Sequence, residues 1–368
     1  MDNKTIGILT MHKVLNYGSA LQAYALQKYM DKLGYNNEII DYLYPTKKAK
    51  PTLKQKIASL LPYNIRKKRK FKNFWNSFLR TSQRTFTSYD QLTAHSCNYD
   101  IYLTGSDQVW NPLFKDEVLP FMFNFIEGGK KLSYAASFSS GNIEESYKPT
   151  YTKYLSQYQH ISVREESSIK LVKELTGKDA VHVCDPTFLL DDNDWNEIAN
   201  NDAIKTKEPY ILVYILSYAY NPYPHIFNII EKVRKELNYK VIFIDGSLSH
   251  IFKEGYKLKK GNGPADFLSL FKNASFVITT SFHGTAFSIN FKRPVISVIQ
   301  PDLNKDSRMY SILKQVGLEE QAVIYNKPFE FNRGDEDIYT PEVTSKICSL
   351  RKLSRSFLKD ALEDLTNK

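Results

Sequence analysis

Short apolar runs bounded by Gly, Asn, Asp or Pro recur along the chain, and between them apolar positions return at helical spacing. Residues 5–11 (TIGILTM) predict a buried strand, residues 19–34 an amphipathic helix ending at Gly34, and residues 37–42 a second strand. That is the opening βαβ unit of a parallel sheet, with Asn16, Tyr17 and Gly18 in the turn at the carboxyl end of the first strand. Two helices follow at about 52–61 and 64–80, broken by Pro62. Strands are predicted at 99–104, 132–138, 159–163 and 180–184, with helices between several of them, so this half reads as doubly wound.

A polar stretch at 200–209 (NNDAIKTKEP) separates a second alternating series. Its strands are predicted at 210–217, 240–244, 275–280 and 294–299, and its helices at about 223–238, 264–272 and 284–292. The expected organisation is an N-terminal Rossmann-like domain over 1–199 with a basic helical insertion at about 47–84. A C-terminal Rossmann-like domain over 209–340 and a terminal helix over 341–368 complete it. The fold class is α/β: two facing parallel-sheet domains with a cleft between them.

Composition narrows the picture. The 368 residues suffice for two cores, and 25 Tyr with 22 Phe suit a protein that must hydrogen-bond hydroxyls and stack on rings. Three scattered cysteines, Cys97, Cys184 and Cys348, describe neither a disulfide framework nor a zinc site. No run is long and apolar enough for a signal peptide or a membrane span, so the expected location is the cytoplasm. The formal charge of +10 favours anionic partners, and much of it is local, because no Asp or Glu occurs between Asp41 and Asp90. There Phe71, Phe74, Trp75 and Phe78 form one aromatic stripe behind Arg66, Lys67, Lys68, Arg69 and Lys70. Either the stripe packs on the first domain and the cations stay in water, or the segment sits on the anionic inner face of a membrane. No nucleic-acid motif accompanies the charge.

Candidate chemistry falls at strand ends. In TTSFHGTAFSINF (279–291) a strand runs into a turn with Ser281, His283 and Gly284 and then into a helix whose first turn holds Thr285. Either the helix N-terminus binds a phosphate beside His283, or Ser281 or Thr285 caps the helix over a buried ring. In SVREESS (162–168) Arg164 ends a strand and either meets an anionic ligand or pairs with Glu165, Glu166 or Asp185. Glu165 and Glu166 themselves read as partners of the helix dipole. In TGSDQVW (104–110), Asp107, Gln108 and Trp110 offer acceptors and a flat apolar face for a sugar, or an Asx turn over a packed tryptophan. Asn16, Tyr17, Gly18 and Ser19 either present donors or begin a helix. No metal site is expected, since Asp191 and Asp192 are adjacent on a polar loop.

Taken in order, GILTMHKVLNYGSALQAYALQ, YDIYLTGSDQVWNP, YAASF, ISVREESS, VCDPTFLLD with Trp195 after it, and TTSFHGTAFSINFKRPVISV resemble the polysaccharide pyruvyl transferase family over nearly the whole chain. The resemblance implies a fold like the glycosyltransferase-B enzymes, with the acceptor on the first domain and the donor phosphate on the second. It also implies phosphoenolpyruvate as donor substrate, no cofactor, and a sugar acceptor that is lipid-linked through a polyprenyl diphosphate or free. By resemblance, Arg164 and His283 serve donor binding and catalysis; their positions at predicted strand ends in the two halves of the chain add the expectation that they line one anion pocket. Asp107 is the candidate base for the acceptor hydroxyl. Neither Arg164 nor His283 is expected to anchor a core. Two other readings stay open at this point: a sugar-nucleotide glycosyltransferase, and a non-catalytic module for an anionic glycan.

Overall fold

The computed structural model describes residues 4–44, 52–95, 97–139, 142–200, 203, 208–217, 220–245, 256–300 and 307–367. The chain folds into two compact units, Met1–Lys50 with Trp75–Leu190 and Ser349–Lys368, and Pro51–Phe74 with Asp191–Cys348.

The first unit is built on a five-stranded sheet of β1 (Thr5–Leu9), β2 (Asn36–Tyr42), β3 (Thr81–Phe86), β4 (Ile101–Thr104) and β5 (Lys130–Ser133). Its order is β3-β2-β1-β4-β5 and every pairing is parallel. A parallel pair, β6 (Ser162–Val163) and β7 (Val181–His182), is joined to it by bridges at Leu132↔His160 and Ala136↔Val163. Both faces of β1 and β4 are covered, which is why they read as unbroken apolar runs. Helix α1 (Tyr17–Lys32) begins after the loop that follows β1, at Asn16, whose side chain accepts hydrogen bonds from the backbone of Gly18 and Ser19. After α2 (Leu53–Ser59) and α3 (Pro62–Phe78), the unit continues through α4 (Tyr89–Thr93), α5 (Lys148–Leu155) and α6 (Ser167–Thr176). The chain moves outward from β1 to β3 and then returns to the other side of β1, so the carboxyl ends of β1 and β4 form a topological switch point.

The second unit repeats the scheme. Strands β8 (Tyr210–Tyr214), β9 (Lys240–Ile244), β10 (Tyr256–Lys259), β11 (Phe276–Thr279), β12 (Val295–Ile299) and β13 (Ala322–Ile324) pair in the order β10-β9-β8-β11-β12-β13, all parallel. Helices α7 (Asp192–Ile198), α8 (Ile226–Leu237), α9 (Pro264–Lys272), α10 (Phe282–Asn290) and α11 (Ser307–Val316) accompany them, and the chain ends in α12 (Pro341–Asn367). Here the switch point lies between the carboxyl ends of β8 and β11.

The boundaries differ from those expected in two places. The basic insertion, assigned from sequence to the N-terminal domain, lies through residue 74 with the second unit. Lys67 pairs with Asp245 and Lys70 with Asp266, each at 2.6 Å, and Arg66 Nη2 donates to the Lys260 carbonyl at 2.8 Å. From Ser349 onward α12 belongs to the first unit, where Arg355 donates to the Leu189 carbonyl and the Ser354 hydroxyl accepts from Cys184 N. The predicted strand at 132–138 ends at Ser133, since Ala135 takes a left-handed φ of 52° that breaks the ladder. In the polar stretch 200–209, residues 201, 202 and 204–207 lie outside the described residues, as does the part of the basic insertion before residue 52.

Candidate active site

At the first switch point, Asp107 follows β4 with a φ of 76°, a conformation Asp adopts more readily than most residues. Its Oδ2 accepts from Ser19 Oγ at 2.5 Å, and its Oδ1 accepts from Gln108 N at 2.9 Å. Ser19 sits in the first turn of α1, so the loop after β4 and the helix after β1 meet through this one bond. Next to it, Ser106 Oγ lies 3.4 Å from Asp185 Oδ2.

Arg164 connects the remaining carboxylates. Its Nη1 donates to Asp185 Oδ2 at 2.9 Å and its Nε to Glu165 Oε1 at 3.3 Å, while Glu165 Oε1 also accepts from Ser137 Oγ at 2.6 Å. All three residues are buried. Burial alone would lower the Arg164 pKa, but the charges of Glu165, Asp185 and Asp107 outweigh it and raise it. The sequence left open whether Arg164 meets a ligand or a structural network, and the observed partners are those of the network. Glu165 and Asp185 bond the guanidinium directly, and Asp107 adds a further negative charge near it. Nor does the expectation hold that Arg164 anchors no core, because its side chain is sealed among its partners. Glu165 is turned inward to Arg164 and Ser137, and its Oε2 also accepts from Ser168 Oγ at 3.5 Å in the first turn of α6.

A second buried group at this edge was not read from the sequence. His12 Nε2 lies 2.8 Å from Asp41 Oδ1, Lys13 Nζ donates to Asp41 Oδ2 at 2.6 Å, and Thr85 Oγ1 donates to the same oxygen at 2.6 Å. Burial would raise the Asp41 pKa, yet the hydrogen bonds from His12, Lys13 and Thr85 hold it at about 2. The available signal was the polar pair His12 and Lys13 in the loop that follows β1.

The second switch point is assembled from hydroxyls. Thr279 Oγ1 donates to the Tyr214 carbonyl at 2.7 Å and accepts from Ser281 N at 3.1 Å, and Thr280 Oγ1 donates to the Leu216 carbonyl at 2.9 Å. Ser281 is the N-cap of α10, with Oγ accepting from Gly284 N at 3.3 Å. Thr285 Oγ1 is turned into the core, 2.7 Å from Ser297 Oγ and bonded to the Ser281 carbonyl. The hydroxyls of Ser281 and Thr285 therefore do the capping and packing that the sequence allowed as an alternative. His283 stands in the first turn of α10, buried, with its ring nearly perpendicular to that of Phe282. Gly284 permits the close seat of this turn, since a Cβ there would lie 2.3 Å from Thr279 Oγ1.

Several expected ligand contacts are structural. Trp110 is fully buried, its Nε1 donates to the Phe121 carbonyl at 3.3 Å, and its ring packs edge-on to Tyr158 and against Phe138. It cannot offer a face to a sugar without opening the core. Gln108 Oε1 accepts from Asn111 Nδ2 at 2.7 Å, Tyr17 is buried in α1, and Gly18 N is bonded to the Asn16 cap. Of the two readings of that turn, the beginning of a helix is the observed one. Asp191 is likewise the N-cap of α7, in a capping box with Asp194. Asp107 and Arg164 thus lie at strand ends of the first unit, and Ser281, His283, Gly284 and Thr285 lie at the strand end of the second.

The model of the family described as polysaccharide pyruvyl transferase matches residues 16–301. No curated protein matches the sequence. Among solved structures, the chain is similar to Arabidopsis thaliana UGT89C1 complexed with UDP-L-rhamnose, at 10% identity and a TM-score of 0.55, covering 100% of this chain and 99% of that one. It is also similar to a UDP-N-acetylglucosamine 2-epimerase at 10% identity and a TM-score of 0.56, covering 99% and 96%. The Methanocaldococcus jannaschii UDP-GlcNAc 2-epimerase in complex with UDP-GlcNAc and UDP gives 12% identity and a TM-score of 0.50, covering 99% and 93%. At these identities the likeness is one of fold, the glycosyltransferase-B fold of two parallel-sheet domains.

Proposed function

Because this chain belongs to the polysaccharide pyruvyl transferase family, we propose that it transfers pyruvate from phosphoenolpyruvate to two hydroxyls of a sugar, forming a cyclic ketal. The observation that carries the reading is the family match together with polar residues gathered at both switch points, where α/β sheets hold ligands.

The chemistry needs an acid, a base and a place for a leaving phosphate. A proton adds to the methylene carbon of phosphoenolpyruvate, and the cationic C2 that results is attacked by a sugar hydroxyl, which loses its proton. The C2–O bond to phosphate then breaks, and a second hydroxyl of the same sugar attacks, loses its proton and closes the ring. One proton is taken up on carbon and two are released, so the balance leaves with the phosphate.

His283 is assigned as acid or as partner of the phosphate, standing where the N–H groups of α10 begin. Asp107 is assigned as the base that accepts the hydroxyl proton, with Ser19 fixing its Oδ2. Arg164 is a positioning residue in this scheme: through Asp185 and Glu165 it holds the loop ends around Asp107. Incubation with phosphoenolpyruvate and a panel of free, nucleotide-activated and lipid-linked sugars, with phosphate release and product mass as readouts, tests the assignment. His283→Ala should abolish both signals, and Asp107→Asn should strongly reduce both.

A further inference from the structure

The helical pair α2–α3 carries a surface that neither unit's chemistry uses. Five of the eleven large apolar side chains exposed among the described residues fall between Leu53 and Ile65, Leu53 at 73%, Ile57 at 59%, Leu60 at 71%, Leu61 at 38% and Ile65 at 52%. Single exposed leucines are ordinary, but five within thirteen positions form a patch, and patches mark docking sites.

Helical geometry divides α3 into two faces. At about 100° per residue, Lys67, Lys70, Phe71 and Phe74 share one side, and Ile65, Lys68, Arg69 and Lys72 share the opposite one. The first side is held by the protein: Phe71 and Phe74 are buried, and Lys67 and Lys70 pair with Asp245 and Asp266. Gly261 and Gly263 accept it closely, since a Cβ on either would lie 2.6 Å from Arg66 or Lys70. The aromatic stripe and half of the basic run therefore serve internal packing, not a partner. The second side is exposed, with Lys68, Arg69 and Lys72 beside Ile65, and the exposed apolar residues of α2 precede it in the chain.

We propose that this outer face docks the protein on an anionic phospholipid bilayer surface, with Leu53, Ile57, Leu60, Leu61 and Ile65 entering the headgroup boundary and Lys56, Lys68, Arg69 and Lys72 meeting the lipid phosphates. Charge complementarity selects this occupant: no Asp or Glu lies between Asp41 and Asp90, and apolar side chains beside cations are what an interfacial helix presents. Among the described residues no helix is long and apolar enough to cross a membrane, so attachment of this kind would be peripheral.

Vesicle co-sedimentation without any substrate tests the proposal independently of the proposed reaction. The full chain should sediment with vesicles of phosphatidylcholine and phosphatidylglycerol and not with phosphatidylcholine alone. Lys68→Gln/Arg69→Gln/Lys72→Gln should weaken binding on the order of 100-fold at low salt, each cation contributing about fivefold. Leu53→Ser/Ile57→Ser/Leu60→Ser should abolish what remains in high salt, with circular dichroism unchanged because these side chains are exposed. A control, Lys170→Gln/Lys352→Gln/Lys359→Gln, removes equal charge elsewhere and should bind as wild type. Failure to sediment with anionic vesicles, or equal loss in the control, overturns the proposal. So does a concentration-dependent dimer that the serine variant abolishes, which would give the face to a second copy of the chain.

Discussion

Ser19 Oγ donates to Asp107 Oδ2 at 2.5 Å, and this bond joins the helix that follows β1 to the loop that follows β4. With Asp107 as the base, Asp107→Asn should keep the fold, since Asn tolerates the same left-handed backbone, and should lower turnover by roughly 10²–10⁴-fold. Ser19→Ala leaves the carboxylate in place with one partner fewer and should cost about tenfold. Steady-state rates of both variants, with melting curves to check folding, decide it. Asp107→Asn at wild-type rate would remove Asp107 from the mechanism.

Arg164→Ala should be a stability variant first. It leaves Glu165 and Asp185 buried without their cation, a loss of about 3–5 kcal/mol when one partner of a buried pair is removed. Denaturant unfolding followed by a probe in the first unit measures this. A variant as stable as wild type would mean that the guanidinium is not the partner of these carboxylates in solution.

How far the sequence could be read depended on what kind of residue carried the signal. Strands such as Tyr210–Tyr214 and Lys240–Ile244 are nearly continuous apolar runs covered on both faces, and they were legible at once. The strand Thr81–Phe86 (TSQRTF) was not, because it lies at the sheet edge where polar side chains are tolerated, and β13 has only three residues. The clusters at Asp107, Arg164 and His283 were legible because strand-to-loop junctions could be located. Whether a polar side chain there faces a ligand or its own neighbours was not: Asp185 could be named as a partner of Arg164, but only the fold decides between the two, and Ser137 is too distant from Glu165 in sequence to be paired with it by pattern. Trp110 shows the same limit: a ring after a strand end may belong to the core or the site, and only its buried position against Phe138 and Tyr158 tells which.

Asp41 gives a pH dependence. Its pKa is about 2 in the folded chain against an ordinary 3.8, so its ionised form contributes stability that is complete above about pH 4 and is lost as pH falls towards 2. The contribution is about 2 kcal/mol, and Asp41→Asn should lower neutral-pH stability by a similar amount while flattening the acid limb of the stability curve. Unfolding free energies between these pH values check the sign: a variant that keeps the wild-type acid limb would refute it.

Gly284→Ala should damage the second unit at its switch point. The new methyl would meet Thr279 Oγ1, which cannot yield easily because it already bonds the Tyr214 carbonyl and Ser281 N. Overpacking of this kind costs about 1–3 kcal/mol, and displacement of the first turn of α10 should weaken donor binding along with it. Thr279→Ser in the same background removes a methyl but keeps the clashing hydroxyl, so it should rescue neither, whereas Thr279→Ala should restore part of the melting temperature.

The most direct test of the central claim follows phosphoenolpyruvate itself. With carbon-labelled phosphoenolpyruvate and a sugar offering two suitably placed hydroxyls, the account predicts one phosphate released per sugar modified and a product heavier by one pyruvate less water, carrying the label and releasing pyruvate on mild acid treatment. His283→Ala should yield none of it. Transfer of a sugar from a nucleotide donor, with phosphoenolpyruvate left intact throughout the acceptor panel, would contradict the account.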